Sequence, residues 1–137
     1  MFCQKKIIAE EQTIKIKGLP EAFESFRICQ LTDVHHGPFV NIEYINDLVE
    51  MVNDLKPDIV VLTGDYVDNS QYPLTSCFIS NSLPYIDPCI GALGRLTANF
   101  GVFAVLGNHD NLRYLEKVRE SFINHNITLI ENTRQLI

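Results

Sequence analysis

No stretch of the 137 residues comes near the ~20 consecutive apolar residues that a membrane-spanning helix needs. The first twenty carry Lys5, Lys6, Glu10 and Glu11 where the apolar core of a signal peptide would sit. The chain is therefore expected to have no transmembrane segment or signal peptide and to be cytoplasmic or peripheral to a membrane. Zinc-binding cysteine patterns are also missing. Cys3, Cys29, Cys77 and Cys89 form no C-x-x-C pair and no Cys/His spacing, which argues against a structural zinc and leaves buried or free thiols. Only an oxidising compartment would let Cys77 and Cys89 cross-link a loop. Excess positive charge is lacking as well: the formal net charge is −6, so bulk nucleic-acid binding is not expected. Nor is there a single-residue or long polar tract of the kind that marks disorder.

What is present is ordinary globular material, 46% hydrophobic and 20% charged. A chain of this length fits one domain, 1–137, and buries about two-thirds of the surface its unfolded form exposes. An extended edge segment is expected over 7–17, where Ile14 and Ile16 alternate with Lys15 and Lys17, followed by a strand at 26–32. Asn41 then caps a helix whose Ile42, Ile45, Leu48, Val49, Val52 and Leu55 share one face until Lys56-Pro57 ends it. The unbroken run Ile59-Val60-Val61-Leu62 reads as a strand buried on both faces. Residues 68–88, rich in Asn, Ser and Pro, read as a loop-like insertion with one short helix at 74–79. Ile90, Leu93 and Leu96 have helical spacing, 102–106 is another buried strand, and Asp110 or Asn111 is placed to cap a helix striped by Leu112, Leu115, Val118 and Phe122. A last strand falls at 127–130. Strands alternating with helices predict a three-layer α/β fold with a mainly parallel sheet flanked by helices.

Three of the apolar runs end in chemistry. Asp33-Val34-His35 follows the first, Gly64-Asp65 the second and Gly107-Asn108-His109-Asp110 the third. If the runs are neighbouring parallel strands, their C-terminal ends gather carboxylates, an amide and imidazoles in the crevice where open α/β sheets hold ligands. In an extended segment Asp33 and His35 would point the same way and could grip one cation. A shared carboxylate would matter, because two dications ~4 Å apart repel by roughly 17 kcal/mol at an effective dielectric of about 20. Each motif alone has a plainer reading: a turn aspartate for Asp65, a helix cap for Asn108 or Asp110. Their succession in order, each at the end of an apolar run, favours metal binding over three coincidences.

These residues resemble the calcineurin-like metallophosphoesterases, whose N-terminal half carries D-x-H, then G-D, then G-N-H-[D/E] at successive strand ends. The match spans most of the chain, and Thr32-Asp33-Val34-His35-His36-Gly37 with Val105-Leu106-Gly107-Asn108-His109-Asp110 is most similar to the bacterial phosphodiesterase-like branch. The resemblance implies that Asp33 and His35 bind a first metal, Asp65 bridges, and Asn108 binds a second. It further implies that Asn108 and His109 contact substrate phosphate, that His109 and Asp110 are catalytic, and that Asp110 orients His109. Two divalent ions (Mn, Fe or Zn), a metal-bridging hydroxide and a small-molecule or lipid-linked phosphoester substrate follow on the same basis.

The family completes its site with three histidines from the C-terminal half, and this sequence does not contain their Gly-His-x-His pattern. The chain is thus expected to represent the N-terminal half of a metallophosphoesterase sandwich, weak in metal binding and activity by itself. His36 is expected to be packed or solvated, and His125 to be favoured at a helix C-terminus. Gly64-Asp65-Tyr66-Val67-Asp68 follows the serine/threonine protein phosphatases until Asn69-Ser70 replaces their Arg-Gly, removing a bidentate phosphate clamp. Two other readings stand beside the phosphohydrolase: a nuclease of the same superfamily, and a non-catalytic α/β binding module with a degenerate site.

Overall fold

β-Branched and aliphatic runs build a sheet in which the first three strands each lead into a polar loop at the same edge. The computed structural model describes residues 6–68, 82–111 and 114–137. In chain order the elements are a 3-10 turn at Glu21–Phe23, β1 (Ile28–Leu31), α1 (Ile42–Asp54), β2 (Ile59–Leu62), α2 (Leu83–Leu93), β3 (Val102–Ala104), α3 (Leu115–Asn124) and β4 (Thr128–Leu129). The strands lie in the order β1-β2-β3-β4 with every pair parallel; Leu31 is level with Leu62, and Leu62 with Ala104. This is the parallel α/β sheet with flanking helices that the alternating pattern predicts.

Crossovers of one hand in this strand order bring α1, α2 and α3 to the same face, where α1 packs on α2 and α2 on α3. Val60, Leu62 and Ala104 are at most 1% exposed and belong to the buried core. The other sheet face carries Ile28 and Val105, which remain exposed. Phe122 of α3 meets Tyr66, just past β2, edge to face with ring centres 5.0 Å apart, and both rings are buried. Removing one such ring from water contributes about 1.5–3 kcal/mol. The Tyr66 hydroxyl lies 2.6 Å from the Val105 carbonyl and 2.9 Å from that of Leu62, tying β2 to the strand beside it. Helix α1 starts where the sequence places it, with the Asn41 side chain accepting from the Tyr44 N–H at 3.0 Å and Ile45, Val49 and Val52 buried.

Three expectations change. Residues 7–17 join no ladder among the described residues, and Ile8, Ile14 and Ile16 stand exposed. The proposed insertion at 68–88 is helical from Leu83 onward, because Pro84 falls in the first turn, where no N–H is needed, and the cost of Pro88 inside α2 is offset by burial of Ile86, Cys89, Ile90 and Leu93. The short helix at 74–79 lies outside the described residues. Finally, α3 begins at Leu115 and not at a cap formed by Asp110 or Asn111. Both of those side chains are committed elsewhere: Asn111 Nδ2 donates to the Gly107 carbonyl at 2.8 Å, and Asp110 accepts main-chain N–H groups from two loops.

Candidate metal centre

Because β1, β2 and β3 are parallel, the segments that follow them leave from one edge of the sheet, and main-chain hydrogen bonds continue between them past the strand ends. Asp33 N–H donates to Gly64 O at 3.1 Å, His35 N–H to Asp65 O at 3.0 Å and His36 N–H to Tyr66 O at 2.9 Å. Asp68 N–H then donates to His36 O at 3.0 Å, and His36 and Val67 form a final parallel bridge. This extension of the ladder carries Asp68 back toward the D-x-H segment.

The D-x-H segment is not extended. Asp33 has φ 54° and His35 φ 49°, both left-handed, while Val34 between them is buried in the core. Asp65 is also left-handed, at φ 57°. Aspartate tolerates this region better than histidine does, and three such residues in one crevice amount to local strain of the kind that collects at functional sites. The side chains nevertheless converge. His35 Nε2 lies 3.6 Å from Asp33 Oδ1 and 3.9 Å from Asp65 Oδ2. These distances are too long for hydrogen bonds.

One donor atom each from Asp33, His35 and Asp65 lie within 4.8 Å of one another, and the same holds for His35, Asp68 and His109. A first-row dication with bonds of ~2.0–2.2 Å separates its donors by about 3–4 Å, and the 3.6 and 3.9 Å spacings of His35 to Asp33 and Asp65 fall in that range. The mixed imidazole and carboxylate donors suit Mn, Fe or Zn. His35 belongs to both sets, and its ring stands edge-on to that of His109 with centres 4.8 Å apart. Asn108 occupies the same turn as His109, with its side chain exposed. The Asp33 carboxyl is held below its ordinary range, first by the Thr32 hydroxyl 2.5 Å away and then by the neighbouring imidazoles.

The loops after β2 and β3 touch backbone to backbone. Gly64 has φ 103°, and a Cβ there would lie 2.5 Å from Gly107 N; a Cβ on Gly107 would overlap the Asp65 carboxylate. Both glycines are therefore required by a close approach. Across this contact the His109 N–H donates to Asp65 Oδ1 at 2.9 Å. Asp110, only 1% exposed, accepts the N–H of Asp65 at 2.7 Å and of Gly107 at 2.8 Å on Oδ2, and that of Tyr66 at 3.0 Å on Oδ1. Burial raises its carboxyl above the usual range, and the three N–H groups pull against that rise.

The structure thus brings Asp33, His35, Asp65 and His109 together, places Asn108 in the adjoining turn and binds Asp110 to the main chain. Asp68 is the residue that motif reading passed over as a candidate. Its only signal in the sequence is its place in Gly64–Asp68, and its position depends on the bridge between His36 and Val67. His36 is packed: it is 5% exposed, its Nδ1 is 2.7 Å from Val40 O, and its ring meets Tyr85 edge-on at 5.2 Å.

Residues 26–134 match the model of the calcineurin-like phosphoesterase family. A metallophosphoesterase of Bacillus subtilis, YkuE, itself described as uncharacterized, is 31% identical over 113 residues, 82% of this chain and 36% of that protein. An uncharacterized metallophosphoesterase of Aquifex aeolicus is 35% identical over 105 residues, 74% of this chain and 34% of its own length. A zebrafish (Danio rerio) protein named as a transmembrane protein with metallophosphoesterase domain is 34% identical over 97 residues, 71% of this chain and 20% of that protein. The α/β sheet with acidic and imidazole side chains at its strand ends agrees with that family match. The chain belongs to the calcineurin-like phosphoesterase family, and it spans about a third or less of the length of these relatives. Among the described residues no helix is long and apolar enough to cross a membrane.

Proposed function

We propose that the chain provides one side of a dinuclear centre that hydrolyses small or lipid-linked phosphoesters, as a phosphodiesterase or phosphatase. The observation that carries this reading is the convergence of Asp33 and His35, from one strand end, with Asp65 from the next, at spacings suited to a shared cation. Asp33 and His35 would hold one ion, Asp65 would be shared, and Asn108 would serve the second. Asp65 suits a bridging role because Oδ1 is anchored by the His109 N–H, while Oδ2 is the oxygen that faces His35. When bound, the ions supply Lewis-acid stabilisation of charge on the phosphoryl oxygens and an activated water.

The chain's own residues do the rest. The carboxylates of Asp33 and Asp65 lie within 4.8 Å of each other, and their repulsion would be relieved by a cation. His109, edge-on to His35 and grouped with Asp68, binds a phosphoryl oxygen and gives a proton to the departing oxygen. Four ligands leave two coordination shells largely to water, so the chain alone binds metal weakly and turns over little. Peripheral association with a membrane is compatible with a lipid-linked substrate.

The test is hydrolysis of bis-p-nitrophenyl phosphate by the full-length protein with Mn²⁺. Asp65→Asn is expected to reduce it to background. Undiminished activity in Asp65→Asn would remove the bridging role and the dinuclear reading with it.

A further inference from the structure

Asp110 is the most buried carboxylate at the strand ends, and it accepts main-chain N–H groups from two separate loops. Two donors, Asp65 and Tyr66, belong to the loop after β2, which carries the shared ligand; the third, Gly107, opens the turn after β3, which carries Asn108 and His109. We propose that Asp110 is a positioning residue that sets the separation between the Asp65 loop and the Asn108-His109 turn, and through it the geometry in which those loops present their metal ligands. The inference rests on the metal-centre reading of the preceding section, but its evidence is separate: a set of hydrogen bonds that involves no ligand side chain.

The arrangement has little slack. Gly64 and Gly107 already touch so closely that neither tolerates a Cβ, so the loops cannot approach further. The Asp110 carboxylate supplies the attraction that holds them at that limit, through charge-assisted bonds stronger than those a neutral acceptor makes. From below, Tyr66 is fixed by its hydroxyl contacts to Leu62 O and Val105 O, so the N–H it offers Asp110 is itself held in place. An amide at position 110 has one acceptor atom in place of two. Its NH₂ group would face at least one main-chain N–H, donor against donor, and the loops would part.

Asp110→Asn is therefore expected to lower Mn²⁺ affinity by about 10–100-fold, the usual effect of losing a contact that supports a metal ligand. The fold should be retained, and the amides of Asp65 and Gly107 should lose hydrogen-exchange protection in the metal-free protein. The purified full-length protein is titrated with Mn²⁺ well below its unfolding temperature, alongside Asp65→Asn. Folded Asp110→Asn that binds Mn²⁺ within twofold of wild type, while Asp65→Asn does not, overturns the positioning role and leaves the metal centre standing. Unchanged amide protection also overturns it. Wild-type binding that is insensitive to Asp65→Asn overturns the metal-centre reading instead. If Asp110→Asn does not fold, the wild-type protein decides: couplings across the hydrogen bonds from the Asp65 and Gly107 amides to the Asp110 carboxyl carbon, kept when diamagnetic Zn²⁺ binds, support the role, and their loss on binding ends it.

Discussion

Asp33, His35, Asp65, Asp68 and His109 meet at the strand ends, whereas Asp87, Ser121 and His125 meet between α2 and the end of α3. The two groups use nearly the same side chains. At the helix joint, Ser121 Oγ donates to Asp87 Oδ1 at 2.8 Å and His125 Nε2 lies 3.1 Å from the same oxygen, so the carboxylate is satisfied by direct bonds. The serine points at the aspartate and not at the histidine, which is not the relay a nucleophile needs. Asp87 and Ser121 sit in regular helix, and His125 ends α3 as its C-cap, as a dipole-favoured histidine should. At the strand ends the nearest His35 to carboxylate distances are 3.6 and 3.9 Å, and three residues are held left-handed. One group closes on itself and braces two helices. The other keeps the His35 ring at 3.6 and 3.9 Å from the Asp33 and Asp65 carboxylates, beyond hydrogen-bond length, a spacing suited to a cation between them.

Removing the histidine from each group sharpens that contrast most. His35→Ala is expected to cut Mn²⁺ affinity by at least about 100-fold, since it deletes a ligand and not merely a supporting contact. His125→Ala should leave affinity within twofold. Equal losses in an isothermal titration would mean that the two groups are not different in kind.

Gly107→Ala asks whether the approach of the loops, as well as the ligands themselves, makes the front group a site. The new Cβ would overlap the Asp65 carboxylate and lie 2.5 Å from Asp65 N, so the main chain must move. A cost of about 1–3 kcal/mol in stability is expected from the strain, with a parallel fall in Mn²⁺ affinity of about tenfold or more. Thermal unfolding and metal titration of the same sample check both. Gly91→Ala is the matching change at the back, where the Cβ would meet the His125 ring at 3.1 Å, a side chain that can shift.

What could be read from the sequence follows the range of the interactions involved. The run Ile59–Leu62 and the Asn41 cap are local signals, and β2 and α1 form where they predict. Two of the three motifs were readable because Gly64 and Gly107 are demanded by a contact that leaves no room for another residue. Asp110 misled as a helix cap because its partners Asp65 and Tyr66 lie 45 and 44 positions away, and no local pattern records them. Pro84 and Pro88 suggested a loop because proline propensity outweighs what a short window can show of burial around Ile86, Cys89 and Ile90. Asp68 escaped for the first of these reasons: only the bridge from His36 to Val67 brings it to the imidazoles.

The smallest effect tests the brace through its charge. Asp87 is held below the ordinary carboxylate range, chiefly by the Ser121 hydroxyl and then by His125. A carboxyl whose pKa is depressed by folding contributes stability above its unfolded value, near 3.9, and loses it as the pH falls through the lower folded value. Asp87→Asn keeps the shape and one acceptor while removing the charge. Because the Asp87 side chain is 70% exposed, the loss at pH 7 should be under about 1 kcal/mol. Once the pH has fallen through that lower folded value the wild-type carboxyl is itself protonated, and the unfolding curves should coincide. A gap of constant size from pH 7 down through the acid limb would show that hydrogen-bond geometry alone holds α2 to α3; a gap that closes makes the back cluster an ion-pair brace, complete without a metal.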